Sequence, residues 1–135
     1  MERKASCACG QLSIKVTGDP KFVATCSCTQ CQKRTGSVFG VSSYFQNEQI
    51  LKINGDRTKC SRTADSGLVL ESRFCPKCGS TVFWNAEFFK GLIGIAVGCF
   101  ADTDFPEPRV AVWMNSKHEW VSFPEHWAFS DTQEL

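Results

Sequence analysis

Seven of the chain's nine cysteines lie in three tight clusters: Cys7-Ala-Cys9, Cys26-Ser-Cys28-Thr-Gln-Cys31 and Cys75-Pro-Lys-Cys78. Thiolates one to three residues apart turn onto a single soft divalent ion with little loop-closure cost. Any fold of this chain must therefore place the clusters on loops or strand ends, where sulfurs can converge. The number seven is informative as well. A closed tetrahedral zinc site uses four ligands, and the three left over suit a second zinc with one open coordination position. Closed sites are structural and open ones do chemistry.

At 135 residues the chain is expected to form a single domain, 1-135, long enough to bury a real core. Fifteen Lys and Arg against 14 Asp and Glu leave a net charge of +1. That balance offers no electrostatic footprint for nucleic acid or an anionic membrane. The first residues, Met1-Glu-Arg-Lys-Ala-Ser, are polar, and the best apolar run, Leu92 to Val97, is only a strand's length. The expectation is a cytoplasmic protein in a reducing compartment, where clustered cysteines mean metal or redox chemistry more often than disulfides.

The chain reads as short strands. Leu12, Ile14 and Val16 alternate with polar residues, and Gly18-Asp19-Pro20 ends the run. Val38 to Phe45, Ile50 to Ile53, Leu68 to Phe74, Thr81 to Trp84, Leu92 to Val97 and Val110 to Trp113 follow. Asn54-Gly55 predicts a hairpin and Asp65-Ser66-Gly67 a further turn. One short helix is predicted over Thr29 to Thr35, with Gly36 as its stop. The expected class is mainly β, an antiparallel fold with short helical segments pinned by metal.

Cys75-Pro-Lys-Cys78-Gly79 has the form of a zinc knuckle, half of a four-ligand site. Cys7 and Cys9, taken to lie ahead of the first strand, are its natural partners, because a structural site usually joins distant segments. A closed four-thiolate zinc would stabilise the fold by about 10 kcal/mol or more. Cys28 and Cys31 are spaced to share a helix face, and Cys26 can close a triangle from the preceding extended segment. Two readings stand for this trio: a second structural zinc completed by Cys60, Cys99, His118 or His126, or an open site. Three thiolates leave a bound Zn²⁺ at about −1, a poor Lewis acid for making hydroxide. Such a centre favours an external thiol, held ionised below its ordinary pKa of roughly 8.5.

The succession Cys7-x-Cys9-Gly10, Gly18-Asp19-Pro20, Cys26-x-Cys28-x-x-Cys31, Gly36, then Phe74-Cys75-x-x-Cys78-Gly79-Ser80 resembles the glutathione-dependent formaldehyde-activating (GFA, or CENP-V/GFA domain) family. Gly98 before Ala101-Asp102, and the spacing of Trp113 and Trp120, agree with it. The resemblance implies an Mss4-like fold with two zinc ions. Cys7, Cys9, Cys75 and Cys78 would hold the structural one and Cys26, Cys28 and Cys31 the catalytic one. It also implies a carbon–sulfur lyase that combines glutathione and formaldehyde into S-(hydroxymethyl)glutathione, or reverses that step. Ala111 stands where the family often has His, and Cys99 where many relatives carry Ser or Thr.

Lys33 and Arg34 follow the trio. They would bind the carboxylates of a glutathione-like ligand, or else form a solvated basic patch. Cys99 reads as a buried strand residue or a thiol near the site, Cys60 as a strand residue, and His118 and His126 as bystanders. The expected partners are a small thiol and an aldehyde, with no nucleic acid and no membrane; a homodimer is left open. The alternative from another class is a non-catalytic zinc module that binds a protein or carries glutathione. A sulfoxide reductase using Cys99 is a third.

Overall fold

A computed structural model describes residues 1–64 and 67–133. Its elements in chain order are β1 (Glu2–Ser6), β2 (Ser13–Thr17), β3 (Phe22–Cys26), α1 (Thr29–Thr35), β4 (Gly40–Gln46), β5 (Ile50–Asn54), β6 (Thr58–Thr63), β7 (Val69–Phe74), β8 (Thr81–Ala86), β9 (Leu92–Ala96), β10 (Val110–Val112) and β11 (Ala128–Phe129). Three short 3-10 turns, Asn47–Gln49, Val97–Phe100 and Met114–Ser116, complete the set among the described residues. The protein is thus mainly β with one α-helix, and its contacts group it into two compact units.

The first unit holds residues 1–21 and 43–105. One of its sheets is β1-β2-β5, antiparallel, running from Glu2↔Thr17 to Ser6↔Ser13 between the first two strands. Alternation explains it: Leu12, Ile14 and Val16 are fully buried while Lys15 is exposed. The other runs β4-β9-β8-β7-β6, with Phe83↔Ile95 and Trp84↔Gly94 facing across β8 and β9. Phe45, Val82 and Ile95 are fully enclosed there, and Phe100 stacks on Phe105 with ring centroids 4.6 Å apart. Arg3 caps that stack, its guanidinium 5.4 Å from the Phe105 centroid, and pairs with Asp19 at 3.0 Å.

The second unit holds residues 22–42 and 106–135. Here β10 pairs in parallel with both β3 and β11, in register Val112↔Cys26 and Ala111↔Phe129. The helix α1 follows β3 after two residues, and Gly36 ends it, as predicted, in the left-handed region at φ 70°.

Three details differ from the sequence expectations. Cys7 and Cys9 are not ahead of the first strand: β1 precedes them, a polar strand whose burial comes only through Ala5. Asn54-Gly55 makes no hairpin, since β5 pairs with β2 and β6 with β7. Gly55 is required for another reason, because at φ 101° a Cβ would overlap the backbone of Gln11. Cys99 lies in a 3-10 turn, not a strand, and its thiol points to the Thr81 carbonyl at 3.7 Å. Of the predicted turn Asp65-Ser66-Gly67, the first two residues lie outside the described residues.

Candidate functional site

The folding of the first unit brings the outer cysteine pairs together. The β1–β2 connection carries Cys7 and Cys9, and the β7–β8 connection carries Cys75 and Cys78. Each is a knuckle closed by its own backbone. Gly10 N–H donates to the Cys7 carbonyl (3.0 Å) and Gly79 N–H to the Cys75 carbonyl (2.8 Å), with both glycines at positive φ, 84° and 81°. The four sulfurs gather within 4.8 Å of one another. Cys9 Sγ lies 3.6 Å from Cys7 Sγ and 3.7 Å from Cys75 Sγ. A tetrahedron with Zn–S bonds of 2.3 Å has sulfur–sulfur edges of about 3.8 Å, so this donor set fits a closed zinc site.

The sulfurs are also supplied with donors, as thiolates on a metal require. Leu12 N–H approaches Cys7 Sγ at 3.3 Å, Lys77 N–H approaches Cys75 Sγ at 3.4 Å, and Gln11 Nε2 reaches Cys75 Sγ at 3.0 Å. Gln11 is anchored in turn by Asp56, whose N–H donates to Oε1 at 2.9 Å and whose carbonyl accepts from Nε2 at 2.6 Å. The Ser80 hydroxyl and backbone N–H pull Cys78 down to about 5.

The trio forms within the second unit. Cys26 ends β3, Cys28 is the N-cap of α1 and Cys31 lies in the first turn of that helix. Capping orients Cys28, whose Sγ accepts the Cys31 N–H at 3.3 Å. The three sulfurs also lie within 4.8 Å of one another, and among the described residues no fourth His, Cys, Asp or Glu joins them at that distance. The cluster divides its protons unequally. Hydrogen bonds from the Cys26 and Cys31 thiols, and then from the backbone N–H groups of Cys31 and Gln30, hold Cys28 far below the usual thiol range. The hydrogen bond with Cys28 and burial drive Cys26 up. All nine cysteines are free thiols, so neither cluster is tied up as a disulfide.

The sequence profile described as "glutathione-dependent formaldehyde-activating enzyme" matches residues 2–116, a span that contains all seven clustered cysteines. The chain belongs to this family. Curated GFA relatives provisionally named as that enzyme include proteins of Colletotrichum graminicola, 26% identical over 116 residues (84% of this chain, 60% of the relative), and Aspergillus terreus, 28% identical over 116 residues (82% and 59%). One from Talaromyces marneffei is 27% identical over 128 residues, covering 90% of this chain and 67% of that protein. The chain therefore spans about three fifths of the length of the first two. A crystal structure of a Rhodobacter sphaeroides protein shares the fold, with a TM-score of 0.57 at 18% identity over 78% of this chain and 92% of that one.

The remaining residues of interest separate clearly in this GFA protein. Arg34 is half-buried and Lys33 exposed. A Cβ built at Gly40 would lie 2.9 Å from Arg34 Nη2 and 3.6 Å from Cys31 Cβ, so the guanidinium lies over the bare glycine beside Cys31. The hydrogen bond with Cys26 and then this charge only partly offset the hydrogen bond with Cys28, the burial and the Cys28 charge that together leave the Cys31 thiol raised. Cys60 is exposed on β6, as read. His118 is engaged by Gln32 and His126 by Glu107, so neither histidine sits among the sulfurs. A groove of about 390 Å³ lies along Pro106, Glu107, Pro108, Arg109, His126 and Trp127. Its acid is already answered by Trp127 Nε1 at 3.1 Å and His126 Nε2 at 3.3 Å. Trp113 adopts φ 55° directly after Val112, the register partner of Cys26. Bonds from its backbone N–H to the Thr132 carbonyl and from its ring to Gln133 Oε1 hold it there.

Sequence reasoning missed the two glutamines, Gln11 and Gln32, which brace the two clusters. Each lies next to a cysteine motif, but Gln11 is anchored by Asp56, 45 residues away, and Gln32 by Ser116, 84 residues away. Nothing local marks a neutral amide as fixed.

Proposed function

We propose that this chain is a zinc-dependent carbon–sulfur lyase that joins glutathione, or a related thiol, to formaldehyde and cleaves the same adduct in reverse. The observation that carries the reading is the three-sulfur cluster of Cys26, Cys28 and Cys31, without a fourth ligating atom at the same distance among the described residues. Family membership supports the substrate pair. Cys7, Cys9, Cys75 and Cys78 would hold a structural zinc, and the trio the catalytic one. Zinc bound by the trio supplies a soft cation that keeps an incoming sulfur ionised near neutral pH.

The chain's own contribution is orientation and charge. Three thiolates bias the site toward sulfur and away from hydroxide. Arg34, seated on Gly40, and Lys33 on the exposed side of α1 would take the carboxylates of an acidic thiol. In the forward direction the substrate sulfur shares an electron pair with the carbonyl carbon to form the C–S bond. The carbonyl π pair moves to oxygen, which takes through water the proton the thiol gave up. Cleavage reverses each movement. Because both substrates are small and polar, no membrane or nucleic acid is needed; among the described residues no helix is long and apolar enough to cross a membrane.

Cobalt substitution tests this reading. Two Co²⁺ should bind per chain, and titration with glutathione should add sulfur-to-cobalt charge-transfer intensity and shift the d–d bands of one of them. A doubly loaded protein whose spectrum ignores glutathione would overturn the proposal.

A further inference from the structure

The carboxamide of Gln32 makes three hydrogen bonds, one to Ser27 and two to the 116–118 stretch of the second unit. Nε2 lies 2.9 Å from the Ser27 carbonyl and 3.2 Å from the Ser116 carbonyl, and Oε1 lies 3.0 Å from His118 Nε2. Carbonyl oxygens only accept, so the amide nitrogen must face Ser27 and Ser116 and the amide oxygen must face the histidine. His118 Nε2 therefore carries a hydrogen and donates it. The imidazole also makes an edge-on contact with Trp120, at 5.7 Å between centroids.

Ser27 is the residue between Cys26 and Cys28. Its N–H donates to the Val112 carbonyl at 3.2 Å, so β10 holds the amide end of this residue while Gln32 holds its carbonyl end. Gln32 is also the residue after Cys31 on α1. One side chain thus ties the turn between Cys26, at the end of β3, and Cys28, the cap of α1, to the helix turn bearing Cys31. A site with only three protein ligands has one bond fewer than a closed site to impose its own geometry. Its sulfur spacing must be set in advance by the surrounding chain.

We propose that Gln32 is the positioning residue of the three-sulfur site, its carboxamide fixing the Cys26–Ser27–Cys28 turn against α1 while His118 locks the amide in place. The inference rests on the reading of Cys26, Cys28 and Cys31 as metal ligands. Gln32 is not one of the ligating residues, and its effect is on the shape and lifetime of the site.

The test uses the full chain loaded with Co²⁺ and measures two things: the d–d spectrum, and the rates at which a chelator withdraws each metal. Gln32→Met keeps length and removes both donors and the acceptor. It should speed release from the trio by about 10- to 100-fold and shift its d–d bands, with release from the four-cysteine site unchanged. His118→Phe should keep the ring contact with Trp120 and lose only the lock on Oε1, giving a smaller acceleration in the same direction. It serves alone if Gln32→Met does not fold. Wild-type release rates and bands in both variants, or in His118→Phe where Gln32→Met does not fold, overturn the role of Gln32 and leave the metal reading standing. A wild-type chain that takes up only one metal overturns both.

Discussion

At the scale of single residues, two glycines make sharp predictions because each lies against a particular side chain. Gly40 leaves the space that the Arg34 guanidinium occupies beside Cys31, and a Cβ there meets the flexible end of that side chain at 2.9 Å. Gly40→Ala should displace Arg34 and leave the fold in place. Steady-state kinetics should show KM for glutathione raised by roughly tenfold with kcat little changed, the signature of lost binding common to ground and transition states. Gly94 is different. It faces Trp84 across β8 and β9, and a Cβ would overlap the indole, which is only 4% exposed and bonded to the Tyr44 hydroxyl at 3.3 Å. A rigid ring in a packed core cannot give way, so Gly94→Ala should cost about 1–3 kcal/mol. A thermal melt followed by circular dichroism should show Tm lowered by roughly 4–15 °C. The seven clustered cysteines were legible at this scale because a thiol pair at knuckle spacing has few other uses. Neither the space over Gly40 nor the amide of Gln32 was legible, because both depend on neighbours supplied by the folded chain.

At the scale of elements, α1 shows how one residue carries two separable duties. Cys28 caps the helix through its sulfur and belongs to the trio. Serine caps a helix at least as well as any residue but is a poor ligand for a soft metal. Cys28→Ser should therefore keep far-UV circular dichroism and Tm near wild type, while elemental analysis falls from two zinc ions per chain to one. The helix itself was expected over about Thr29 to Thr35 and is found there, because a polar stretch ending in glycine has a local cause. Most antiparallel strands were found for the same reason, their alternation being local. β1 escaped because Glu2, Arg3 and Lys4 give no apolar alternation, and its place comes from pairing with β2. The parallel partners of β10 escaped too: parallel pairing links segments as far apart as Ala24 and Val110, and no turn signal announces it.

At the scale of the whole molecule, metal should govern stability and activity unequally. A closed four-sulfur set surrounded by N–H donors holds its ion more tightly than a three-sulfur set with an open position. Titration with a strong chelator should therefore be biphasic. Activity should be lost with the first equivalent of zinc released, while the near-UV spectrum persists; tertiary structure should collapse only as the second equivalent leaves. Loss of structure and activity together would contradict that division of labour. Proton competition works in the same direction at both sites, because thiols must ionise to bind. Zinc affinity should fall as pH is lowered, with release from the trio preceding unfolding, and a zinc-indicator assay across a pH series would follow it.

The two knuckles of the four-sulfur cluster come from distant parts of the first unit's chain, with Cys9 and Cys75 separated by 66 residues. These 66 residues must be synthesised between the first pair of ligands and the second, so an ion cannot be clasped by both until β7 has emerged. If zinc is scarce at that moment, the nascent chain lacks the bond that would close this loop and stays open to proteases. Cellular abundance of this protein would then record zinc supply at the time of translation, with mature copies persisting through a later shortage that starves new ones.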